Sequence, residues 1–153
     1  MSGGEAHGNS HMALVQPFPQ PGRLMQLAYR QLDLAASRQQ NHLLPLHDLA
    51  TLPRPWDPAT CRTPQLRKEV WSWLEAVVTW LTHEHVWDVA DGIPPCWPQH
   101  PHLVHEIAVL ADQRHCAGHA LTSDPLEEWH RHSLPLFIER MRSRLRNHCQ
   151  EDH

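Results

Sequence analysis

An all-α domain, a compact bundle of about four helices with a flexible N-terminal tail and a proline-rich extended crossing segment, is the fold class this sequence predicts. Three observations lead there. Apolar residues recur at spacings of three and four in four separate stretches, most of the 14 prolines fall between those stretches, and no stretch alternates as a strand would. A chain of 153 residues fits one domain and buries roughly two-thirds of the surface its unfolded form exposes, so a true core can form.

The first 22 residues, MSGGEAHGNSHMALVQPFPQPG, hold few large apolar side chains to offset the entropy of ordering, and predict a flexible tail over 1–22. Residues 23–150 then make one helical domain. Its first helix, 23–40, carries Leu24, Leu27, Ala28, Leu34 and Ala35 at helical spacing, with Met25, Tyr29 and Leu32 widening the apolar face. The segment 41–62 holds too many prolines for a long helix and predicts an extended strap with leucine pegs laid over the core. A tryptophan-rich helical core, 63–149, follows.

Thr63-Pro64 predicts an N-cap with proline in the first turn. The helix it opens has Leu66, Val70, Trp73, Leu74, Val77 and Leu81 in one stripe, flanked by Trp71, Val78 and Trp80, and should stop near His83 to His85. The loop VWDVADGIPPCWPQ leads to Pro101, where a third helix starts, with Leu103, Ile107, Leu110 and Ala111 inward and Gly118 as its stop. Asp124-Pro125-Leu126-Glu127 has capping-box form with Asp124 as the cap, and the fourth helix places Trp129, Ser133, Phe137, Met141 and Leu145 on the core side. Pro135 lies inside it and predicts a kink or break.

The balance of 13 basic against 17 acidic side chains gives a formal charge of −4, so no global field favours nucleic acid or an anionic membrane. No run approaches the ~18 apolar residues a bilayer span needs, and no membrane role is expected. Cys61, Cys96, Cys116 and Cys149 lack CxxC spacing in a chain without a signal segment, which predicts reduced thiols and a cytoplasmic setting.

The stretch CWPQHPHLVHEI gathers metal-ligand types. Cys96, His100 and His105, with Cys116 at the far end of the same helix and His130 on the next, are the candidate metal ligands, and zinc is the metal such a set would take. Their spacing matches neither finger nor ribbon, so the leading expectation is no cofactor, with the histidines satisfied or facing solvent. No residue is assigned a catalytic role, because nothing fixes an oxyanion hole or an orienting group, and an enzyme is not the favoured reading. Arg140, Arg142, Arg144 and Arg146 form two rows on the last helix and are the nucleic-acid candidates. Trp73, Trp97, Pro101, Trp129 and His130 are the expected structural and interaction core, with Cys96-Trp97 plugging in near Trp129 and His130.

Taken in order, WSWLEAVVTWL, a loop ending PPCWPQHP, LVHEIAVLADQRHCA and DPLEEWHRHSLPLFIERM resemble a group of small uncharacterised proteins of actinobacterial plasmids, prophages and conjugative elements. The positions that carry the resemblance are Trp73, Cys96, Trp97, His100, Pro101, Trp129 and His130. It implies a mobile-element setting in a cytoplasm and no particular chemistry. The function expected is that of a non-enzymatic accessory protein acting by macromolecular binding, first of a protein partner, a homodimer included. A nucleic-acid-binding factor using the arginine face is the alternative, and a zinc-supported or catalytic helical protein the third.

Overall fold

The computed structural model describes residues 15–40, 49–85 and 92–148, without the side chains of 40 and 145–148. Four helices carry the described fold. They are α1 (Arg23–Gln40), α2 (Pro64–Glu84), α3 (Pro101–Gly118) and α4, which runs on as α-helix Asp124–Glu128, π-helix Trp129–Ser133 and α-helix Leu134–His148. α1 packs on α2, α2 on α3, and α3 on α4, so α3 is the inner layer. Among the described residues there is no sheet; Arg54 and Asp57 form one isolated bridge.

Three of the four helices bury the stripe that their spacing predicts. On α2, Leu66, Val70, Trp73, Leu74, Val77 and Leu81 are all buried, as are Leu103, Ile107, Leu110 and Ala111 on α3. Trp129, Phe137 and Met141 do the same for α4. α1 differs. Met25, Ala28 and Ala35 are its buried residues, while Leu24, Leu27 and Leu34 are 36, 41 and 55% exposed. The small alanines let α1 lie close to its neighbours, and the larger leucines are left on the outer flank.

The N-terminal boundary also lies earlier than composition predicts. Residues 1–14 of the expected tail lie outside the described residues, but Phe18 is 7% exposed, edge-on to Trp73 (6.1 Å) and Trp80 (5.1 Å). The Trp73 indole N–H donates to the Pro19 carbonyl (2.9 Å) and that of Trp80 to the Gln16 carbonyl (3.0 Å). Buried indoles need acceptors, and an irregular segment has free carbonyls to offer. The packed domain therefore includes residues 16–22.

This segment ends at Gly22, where α1 is capped from another helix. The Glu69 carboxylate of α2 accepts from the Leu24 N–H (3.2 Å) and the Met25 N–H (3.1 Å), satisfying donors that no local side chain reaches. A Cβ on Gly22 would overlap that carboxylate. Gly22→Ala and Glu69→Ala are each expected to cost about 1 kcal/mol, the usual worth of an N-cap. Because both remove the same cap, urea unfolding of the double variant should show a loss well short of the sum.

The described part of the crossing segment, 49–62, is wound into turns where a strap was expected. Arg54 gathers it: its guanidinium donates to the Leu52 (3.0 Å) and Leu49 (2.9 Å) carbonyls, and its N–H donates to Thr60 Oγ1 (2.8 Å). Cys61 and Pro55 are sealed beneath. Residues 41–48 lie outside the described residues, as do 86–91 of the loop before α3.

Caps and stops need small corrections. Thr63 is the N-cap of α2 by position, but its side chain makes no capping hydrogen bond. The cap of α4 is Ser123, not Asp124, one residue earlier than the motif suggests. Gly118 closes α3 from within the helix and not as a left-handed stop; a Cβ there would meet Arg114 Nη1 at 2.9 Å. Pro135 has the predicted effect. It cannot donate to a preceding carbonyl, and the helix widens just ahead of it, with the Leu134 N–H reaching back five residues to the Trp129 carbonyl.

Candidate functional site

The outer face of α1 is the largest feature of the surface that core packing does not explain. At 100° per residue Leu24, Leu27 and Leu34 fall within an arc of about 80°, and Arg38 lies inside that arc. Arg23 and Arg30 border it on the side away from the buried residues. The helix carries three arginines against one aspartate in a chain of net charge −4. Arg23, Arg30 and Arg38 are exposed and make no ion pair among the described residues. The result is an apolar stripe with a basic edge, on a helix held from behind by the Glu69 cap and by the Tyr29 hydroxyl, which donates to Asp112 Oδ1 of α3 (2.8 Å).

Beside Tyr29 a groove of about 620 Å³ opens between α1 and the end of α3, lined by Arg30, Asp33, His115, Cys116 and His119 among others. His115 lies against the Tyr29 ring (4.5 Å), and burial, with His119 close by, pushes it down to about 4, so it is neutral at pH 7. Burial and the neighbouring Asp112 carboxylate push the Cys116 thiol up to about 11. These groups are poor nucleophiles and poor proton carriers near neutrality.

The metal candidates are dispersed. Cys96 Sγ lies 3.3 Å from His100 Nε2, but His105 is exposed one turn into α3, Cys116 sits at the far end of that helix, and His130 packs against Trp129 (5.0 Å) and His85 (5.6 Å). Among the described residues no group of three His, Cys, Asp or Glu side chains could hold a metal ion.

The arginine face is partly neutralised. Glu106 of α3 accepts from Arg140 (2.9 Å) and lies 3.8 Å from Arg144, while Glu127 pairs with Arg131. Arg142 is exposed and interacts with a neighbour; the side chain of Arg146 lies outside the described residues.

The tryptophan core is arranged differently from the expected plug. Trp97 is buried and stacks on Trp71 (5.8 Å), whereas Trp129 meets Trp80 (6.3 Å), His85 and His130. The Trp129 indole N–H donates to the Leu110 carbonyl (3.0 Å). Between Phe18, Trp80 and Trp129 sits the Arg114 guanidinium, 5.0, 5.6 and 5.9 Å from the ring centres. Its Nε is buried without an acceptor, and the attraction of the rings, with the negative end of the α3 dipole, offsets the loss of water. Glu69 and Arg114 did not stand out in the sequence. Gly22, a capless residue directly ahead of a helix, is the sign that a cap must come from elsewhere.

Comparison with protein-family models, with curated proteins and with solved structures finds no match. No helix among the described residues is long and apolar enough to cross a membrane.

Proposed function

We propose that this chain is a non-enzymatic accessory protein that binds a protein partner through the outer face of α1, in the mobile-element setting its sequence resemblance implies. The observation that carries this reading is the exposed leucine stripe with its unpaired arginine edge. Apolar area supplies affinity and the charges supply orientation, so the occupant that fits is an acidic amphipathic helix. A second copy of α1 would set arginine against arginine, which argues for a different chain over a homodimer. Duplex nucleic acid is the weaker ligand, because Glu106 already engages two of the arginines it would need.

The test is fluorescence anisotropy with a labelled helical peptide bearing leucines along one face and glutamates beside them. Binding that weakens with salt, is lost in Leu27→Asp/Leu34→Asp at unchanged helicity, and turns toward a lysine version of the peptide in Arg30→Glu/Arg38→Glu supports the proposal. Equal binding by the aspartate variant, or a wild-type dimer that Leu34→Asp dissociates in light scattering, overturns it.

A further inference from the structure

We propose that Cys96 is a reactive thiol with His100 as its base, and that it is a site of reversible modification by low-molecular-weight disulfides. The pair is built by the local chain. Trp97 N–H donates to the Pro94 carbonyl, Gln99 N–H to Cys96 and His100 N–H to Trp97 (3.1, 2.9 and 3.1 Å), winding residues 94–100 into tight turns. These turns bring Cys96 Sγ to 3.3 Å from His100 Nε2 across four residues. Both ends are fixed: the buried Trp97 ring is stacked on Trp71, and the His100 carbonyl accepts from the Leu103 and Val104 N–H groups (2.9 and 3.0 Å) as α3 begins. Cys96 is half-buried, not sealed, and the positive end of the 18-residue α3 lies next to His100, where a thiolate is favoured.

The other described thiols lack this arrangement. Cys61 is fully buried, and Cys116, though on the surface, faces the Asp112 carboxylate, which opposes ionisation. Only Cys96 combines access with a base.

The reaction is thiol–disulfide exchange. As Cys96 sulfur attacks one sulfur of a disulfide RSSR, its proton passes to His100 Nε2; the Cys96–SR bond forms, the old S–S bond breaks, and RS⁻ leaves and takes up that proton as RSH. RSSR is the oxidant, and a thiol reverses the step.

The experiment uses the full chain with oxidised glutathione and, separately, with iodoacetamide, each cysteine followed by peptide mass mapping. Cys96 should carry the glutathione adduct, removed by dithiothreitol, and should alkylate about tenfold faster than Cys116 at pH 7. In His100→Asn the Cys96 rate should fall about fivefold or more at pH 7 and recover toward pH 9, with Cys116 unchanged. A Cys116 rate equal to or above that of Cys96 in the wild type overturns the proposal whether or not the variant folds. So does an unaltered Cys96 rate in folded His100→Asn, or stoichiometric zinc retained on the isolated protein and released on Cys96 alkylation.

Discussion

Trp129→Ala is expected to lower the free energy of unfolding by about 4–5 kcal/mol, enough to unfold a domain of ordinary stability. Two losses add. The ring is 2% exposed and touches Trp80, His85 and His130, so its removal leaves a cavity between three helical segments. Its indole N–H is also the partner of the Leu110 carbonyl inside α3. Arg114 loses one of its three rings as well, leaving a desolvated charge less well held. Trp129→Phe keeps most of the volume and should cost roughly 1–2 kcal/mol. Urea unfolding followed by far-UV dichroism measures both, and a loss below 1 kcal/mol for the alanine variant would place the ring outside the core.

Phe18→Ala should cost about 3–4 kcal/mol, a surprising figure for a residue in a segment composed like a tail. Its ring is wedged between Trp73 and Trp80, with Arg114 on its face at 5.0 Å. Losing it should also loosen residues 16–19, whose carbonyls hold the two indole N–H groups. Thermal unfolding and amide exchange at the two indoles would show this directly; an unchanged melting temperature would return the segment to the status of a tail.

The helices were legible because proline in the first turn and apolar spacing of three and four are local signals. They placed α1 at 23–40 and the start of α2 at Pro64 as observed. What periodicity could not rank was two neighbouring arcs of one helix. On α1 both are apolar, and side-chain size pointed to the leucines, whereas close approach selected Ala28 and Ala35. The status of residues 16–22 was hidden for another reason. Composition counts apolar side chains, but this segment is held by main-chain carbonyls that two tryptophans require. The Cys96–His100 contact was visible as a spacing, yet only the turns at Pro94 to His100 bring the atoms together. Pairing of Glu106 with Arg140 joins residues 34 apart in the chain, beyond the reach of any local pattern.

The five-residue reach of Leu134 N–H to Trp129 gives α4 a dependence on residue count. A widened turn accommodates one residue more than an α-turn, so everything after it is rotated by about 100° relative to a straight helix. Phe137 and Met141 meet α3 only with that offset. Removing any single residue between 129 and 133 would swing the last two turns of core side chains toward solvent and their arginines inward. Replacing Pro135 alone would leave the offset in place. Along this helix, point changes of sequence are tolerable variation, whereas a change of length by one is a change of fold.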